Sequence, residues 1–209
     1  MVLSDHGFSP YYRSFNLNTW LLEQGYAALE DRAAQGESDV LQNVDWRRTK
    51  AYSLGFNALY VNLRGREARG AVSTSDKRGL IEEIASRLEQ VRDPLTGERV
   101  VLRAYRASDC YTGPCRAAAP DIIVGYNRGY RASWQTALGK FPREVYQPND
   151  SKWSGDHLMA SDVLPGILLM NRPLRETSGA SLCDLTATLL AVFDIPTPAE
   201  MQGRALLSI

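Results

Sequence analysis

Long hydrophobic runs are missing from this sequence. No apolar stretch approaches the roughly 20 residues that a membrane-spanning helix requires, and the longest, residues 185–193, has the spacing of a core helix. This excludes a helical anchor within these residues and predicts no membrane contact. Net charge is missing as well: 24 basic and 24 acidic residues cancel, so the charge balance predicts no nucleic-acid partner. Cysteine is scarce and odd in number, with Cys110, Cys115 and Cys183. An odd count fits unpaired thiols in a reducing compartment and favours a cytoplasmic location. The Gly113-Pro114 turn between Cys110 and Cys115 leaves a local disulfide as the alternative. Repeats and low-complexity tracts are absent, and 44% hydrophobic content in 209 residues suffices for one domain with a sizeable core.

The amino terminus lacks the beginning of an element. Met1 to Ser4 reads as the end of a buried strand, yet strands usually run to about 5 residues. The expectation is that residues 1–209 are a single carboxy-terminal portion of a longer catalytic domain. The missing amino-terminal part of the same protein would then be its partner, and localisation would not be readable from this stretch.

What is present alternates between helical and extended patterns. Helical spacing covers residues 16–24, with Asn16 or Asn18 as cap and Gly25 as stop. A short strand is predicted at 26–29, a polar loop at 30–43, and a hairpin from strands at 49–54 and 58–63 around Gly55-Phe56-Asn57. Asp76 is read as the cap of a helix whose apolar stripe is Leu80, Ile81, Ile84, Leu88 and Val91. Strands are expected at 99–105, 121–126 and 166–170, the last two as continuous apolar runs of the kind buried on both faces. Ser181 and Asp184 form a capping box for a final helix that Pro196 and Pro198 end. The fold class that follows is α/β, a largely parallel sheet covered by helices on both faces, with a β-hairpin excursion.

The histidines carry the strongest chemical signal. There are two, and each follows an aspartate in a glycine-flanked turn: Ser4-Asp5-His6-Gly7 and Ser154-Gly155-Asp156-His157. Asp5-His6 follows an apolar fragment, which places it at the carboxyl edge of a sheet, where open α/β sheets bind ligands. A carboxylate beside an imidazole suits a divalent ion such as Zn²⁺; a capped turn is the alternative for either pair taken alone. Asp156 reads as a residue that orients His157, because adjacent residues of one turn rarely both reach one ion. Asn62, Arg64 and Arg66, at the hairpin end, offer donors for a phosphate or sugar, or else form a solvated turn. Arg13 and Lys152 are similarly ambiguous beside the two turns. Trp46, Trp134 and Trp153 are read as core or rim packing. Gly65 to Gly70 lacks a following Lys-Ser/Thr and is not a phosphate-binding P-loop.

Several segments resemble one known group in succession. VLSDHGFSPYYRSFNLNTWLLEQGY, VDWRRTKAYSLGFNALYVNLRGRE, DPLTGERVV, APDIIVGYNRGY, WSGDHLMASDVLPGILLMNRP and SLCDLTATLLAVFDIPTP…MQG are similar to the type I phosphodiesterase and nucleotide pyrophosphatase branch of the alkaline phosphatase superfamily. They match its bacterial phosphohydrolase/phosphomutase-like members most. The resemblance implies an alkaline-phosphatase-like fold and a phosphate-ester small-molecule substrate, cleaved by phosphoester or phosphodiester hydrolysis. It also implies two divalent ions, Zn²⁺ first and Mn or Fe as alternatives. Asp5 and His6 would hold the first ion and His157 the second, which expects the three to converge. Independently of the resemblance, the donors at the hairpin end make Asn62 and Arg64 the candidate substrate-binding residues. Two departures matter. The family's Asp-x-x-x-His pair has no counterpart, since Val2 and Trp153 stand four residues before the two histidines, and the attacking Ser or Thr is expected upstream. The isolated chain is therefore expected to be inactive or nearly so. The rival reading is a non-catalytic metal-binding remnant or an interaction module.

Overall fold

Among the residues described by the computed structural model, 1–37, 39–175 and 178–207, the strands are short and scattered along the chain. They are β1 (Val2–Leu3), β2 (Ser9–Phe15), β3 (Ala51–Ser53), β4 (Ala58–Val61), β5 (Val101–Arg106), β6 (Ile122–Tyr126), β7 (Gly129–Ala132), β8 (Tyr146–Pro148), β9 (Gly155–Asp156) and β10 (Leu168–Leu169). The helices are α1 (Leu17–Glu23), α2 (Thr74–Glu89), α3 (Ala107–Cys110), α4 (Trp134–Ala137) and α5 (Leu182–Val192). Contacts divide the chain into two units, Phe8–Leu164 and the pair of segments Met1–Gly7 and Pro165–Ile209. No helix among the described residues is long and apolar enough to cross a membrane.

In the Phe8–Leu164 unit, one sheet has the order β3-β4-β6-β5 and another the order β7-β2-β8, with β9 also pairing to β2. The β3–β4 hairpin forms as its sequence predicts, with Ala51 opposite Val61 and Ser53 opposite Leu59. Its turn uses Gly55 (φ 80°) and Asn57 (φ 58°), residue types that tolerate the left-handed region. Every residue of α1 from Leu17 to Leu22 is buried. Asn18 ties that helix to β3 with a reciprocal pair of bonds: its Nδ2 donates to the Ser53 carbonyl at 2.9 Å and its Oδ1 accepts from the Ser53 N–H at 2.8 Å. α2 buries Ile84, Ala85 and Leu88, and these join Phe15, Leu21, Leu59, Ile122 and Tyr126 in one apolar core.

A buried carboxylate braces this core. Asp121, just before β6, accepts hydrogen bonds from Arg66 Nη2 at 2.8 Å and from the Val61 N–H at 2.7 Å, and pairs with Lys77 Nζ at 2.7 Å. It thereby links β4, the segment after it and α2 at one point. Burial alone pushes the Asp121 carboxyl up, but the bonds from Arg66, Lys77 and Val61 outweigh it and hold the group below the usual carboxylate range.

In the other unit β1 pairs antiparallel with β10, Val2 opposite Leu169 and Leu3 opposite Leu168. The capping box of Ser181 and Asp184 is present at α5. Asp184 Oδ1 also accepts the Arg204 N–H at 2.8 Å, and Thr188 Oγ1 accepts the Leu206 N–H at 3.0 Å. The chain after the helix therefore lies directly on it. Gly203 permits this approach, because a Cβ there would fall 2.0 Å from the Cys183 carbonyl oxygen.

The α/β class stands, but the largely parallel sheet does not. Only β2 with β7 runs parallel; the other strand pairs of the described residues are antiparallel. The apolar run at β6 correctly signals burial, and burial carries no information on strand direction. β2 and β7 were not visible as strands: Pro10 reads as a breaker, yet it stands at an exposed position of β2 opposite Gly155. β1 is extended but exposed, and among the described residues it pairs with the two-residue β10. Residues 26–29 form only an isolated bridge, Leu29 to Val44. α2 is capped by Ser73, whose Oγ accepts the Asp76 N–H, so Asp76 lies in the first turn and is not the cap. Cys110, Cys115 and Cys183 are exposed free thiols.

Candidate functional site

The first Asp-His turn follows β1. Ser4 fixes it to the residue before β10: its N–H donates to the Ile167 carbonyl at 3.1 Å, and its Oγ accepts the Ile167 N–H at 2.9 Å. Beyond that anchor Asp5 folds back, with Oδ1 accepting the His6 N–H at 3.1 Å. The His6 Nδ1 lies 2.8 Å from the Gly7 carbonyl, which can only accept, so Nδ1 carries a proton. In a neutral ring the lone pair is then on Nε2, and Nε2 lies 3.3 Å from Asp5 Oδ2. Two lone-pair atoms at that separation are stabilised by a proton or a cation between them. The Asp5 side chain is 75% exposed, so a cation arriving from solvent meets it directly.

The second turn follows β9, which hydrogen-bonds to β2 with Asp156 opposite Ser9. Asp156 is buried and fully committed: Oδ1 accepts the N–H groups of His157 at 2.6 Å and Leu158 at 3.2 Å, and Oδ2 pairs with Arg131 Nη1. It shapes the turn and is not available as a ligand. The His157 imidazole stays 48% exposed and lines a cleft of about 750 Å³ together with Phe8, Tyr11, Arg131 and Trp153. Its ring centroid lies 5.8 Å from that of Phe8. A Cβ at Gly155 would come within 2.9 Å of the Phe8 ring, so a larger residue there would displace that ring.

Other residues singled out in the sequence have structural duties. Asn62 is fully buried and directs its amide hydrogens to the carbonyls of Trp46, Thr49 and Arg69 at 2.9, 2.8 and 3.2 Å. Arg66 pairs with Glu67 and Asp121, and Arg13 pairs with Asp93. Arg64 is exposed on the turn after β4. Trp46 packs edge-on against Tyr52, while Trp134 and Trp153 stand exposed on the cleft. Arg131 was invisible to sequence reasoning. Its importance comes from burial within β7 and from a partner, Asp156, on another strand. The one available signal was a charged residue inside the short apolar stretch 129–132.

The donor chemistry of both turns suits a divalent metal in kind. In number it falls short: among the described residues no group of three or more His, Cys, Asp or Glu side chains is placed to hold a metal ion. An ion of the zinc type takes four ligands, more than any such group among the described residues offers.

The sequence profile of the type I phosphodiesterase / nucleotide pyrophosphatases matches residues 1–150, which include the Asp5-His6 turn and β2. The chain belongs to that family. It is also similar to the 2,3-bisphosphoglycerate-independent phosphoglycerate mutase of Cellvibrio japonicus (strain Ueda107), at 41% identity over 46 residues. That alignment covers 22% of this chain and 9% of the mutase, so the chain spans only a small part of that relative. Both similarities support the alkaline phosphatase superfamily. No solved structure matches significantly. The family match stops short of the His157 turn.

Proposed function

We propose that this chain carries the metal-binding turns of a phosphoester or phosphodiester hydrolase. The observation that supports this reading best is the Asp5-His6 turn within the family match: an exposed carboxylate beside an imidazole nitrogen whose tautomer the Gly7 carbonyl selects. On this reading Asp5 and His6 are donors to one divalent ion, Zn²⁺ first and Mn or Fe as alternatives. His157 is a donor to another. Such ions neutralise the charge that gathers on the phosphoryl oxygens during transfer. The chain's own contribution is placement. Ser4 holds the first turn against Ile167, and Arg131 holds Asp156, which in turn fixes the main chain of His157. Neither turn supplies four ligands, so metal affinity and turnover of residues 1–209 alone are expected to be low.

The test is hydrolysis of 4-nitrophenyl phosphate and bis(4-nitrophenyl) phosphate by the purified chain across a Zn²⁺ or Mn²⁺ titration. The expected result is slow release of nitrophenolate that rises with metal and disappears with a chelator. Hydrolysis that persists unchanged in chelator contradicts the reading. No metal-stimulated release at any concentration favours the rival, a metal-binding remnant without catalysis.

A further inference from the structure

The cleft that holds His157 is richer in exposed aromatic surface than its packing needs. Trp153 is 74% exposed, Phe8 67%, Trp134 62% and Phe56 42%, and all four line the same cleft. Large aromatic side chains left in water at this density cost hydrophobic stabilisation that packing could have recovered, and such apolar patches mark binding surfaces. Among the described residues Trp153 has neither a ring partner nor a hydrogen bond on its indole nitrogen; its backbone carbonyl accepts from Asn149 Nδ2 at 2.7 Å and from Ser151 Oγ at 3.2 Å.

The charges of the cleft indicate what would bind. Arg131 is committed: Nη1 pairs with Asp156 and Nε donates to the Ala132 carbonyl at 2.9 Å. Its remaining nitrogen, Nη2, has no hydrogen-bond partner but is buried away from the cleft's solvent, so an incoming anion does not reach it. The accessible charge is instead Asp150, an exposed carboxylate on the lining with no ion pair or hydrogen bond to its side chain among the described residues. The cleft therefore presents aromatic rings and one uncompensated negative charge. It already holds one cation in this manner, since the Arg131 guanidinium sits 5.2 Å from the ring centroids of both Tyr11 and Trp134.

We propose that this cleft binds an organic cation, specifically a quaternary or alkylated ammonium group, through Trp153 and its aromatic neighbours with Asp150 as counter-charge. An alkylated ammonium fits better than a bare one, because a mostly aromatic lining offers few acceptors for N–H groups and much apolar surface for methyl groups. The binding claim is independent of any catalytic activity. With the phosphoester reading, on which this further step rests, the bound group would be the alcohol part of an ammonium-alcohol phosphate ester, the cleft being the one that His157 lines.

The experiment is a proton NMR titration of the metal-free chain at constant ionic strength, following the methyl signals of choline, of its neutral isostere 3,3-dimethylbutan-1-ol, and the ring signals of phenyl phosphate. Choline is expected to bind in the millimolar range with an upfield ring-current shift of its trimethylammonium signal. The neutral isostere is expected to bind about 10-fold more weakly, and Trp153→Ala and Asp150→Asn each to weaken choline about 5-fold. Both side chains are exposed, so both variants should fold, which circular dichroism verifies. Equal binding of choline and its isostere, tighter binding of phenyl phosphate, or wild-type choline affinity in both variants would each overturn the proposal. A chain that binds choline but shows no metal-stimulated hydrolysis leaves this inference standing and favours the non-catalytic remnant; metal-stimulated hydrolysis without choline binding overturns this inference and leaves the phosphoester reading standing.

Discussion

Asp121→Ala is expected to destabilise the Phe8–Leu164 unit by about 3–5 kcal/mol, as removal of one partner from a buried charge cluster does. The substitution strands Arg66 and Lys77 beside the core and orphans the Val61 N–H. The denaturant midpoint should fall with little change in slope. The same residue predicts a pH dependence with a definite sign. Its folded carboxyl titrates below the ordinary value, which is about 3.9 in an unfolded chain. A depressed group contributes stability that is complete above the unfolded value and is lost as pH falls through the folded one. Wild-type stability should therefore decline below about pH 4, and Asp121→Asn should flatten that part of the curve. A variant as stable as the wild type would show that Arg66 and Lys77 find other partners.

The second large effect is on turnover without an effect on folding. Asp5→Asn, His6→Ala and His157→Ala are each expected to reduce the metal-stimulated hydrolysis by about 10- to 100-fold. The three side chains are partly or largely exposed, and exposed substitutions usually shift stability by no more than about 0.5 kcal/mol. The midpoint of unfolding should thus stay in place while the rate falls. Asp156→Ala should behave differently: it leaves the buried Arg131 unpaired and frees two turn N–H groups, so stability and rate should fall together.

These contrasts mirror what could be read from residues alone. The β3–β4 hairpin, α1 and α5 were legible because local chemistry decides them: Gly55 and Asn57 take the left-handed turn, and the Ser181–Asp184 box starts α5. Strand direction was not, since β6 would carry the same apolar residues whichever way its neighbours ran. β2 was hidden by Pro10, which is tolerated because it stands at an exposed position of that strand. At the candidate site, the two Asp-His turns were visible because the chain spends both histidines on them. The separate duties of the two aspartates were not. Asp5 is open to solvent, whereas Asp156 is consumed by Arg131 and two backbone donors, a difference set by β7 and β9 and not by the dipeptide.

The central claim is that the two Asp-His turns are cation ligands, and equilibrium dialysis against Zn²⁺ tests it most directly. The account predicts weak but measurable binding by residues 1–209. One component should be lost on replacing Asp5 and His6 and a separate one on replacing His157. Zn²⁺ binding that is unchanged in amount and affinity after replacement of Asp5, His6 and His157 together would contradict it.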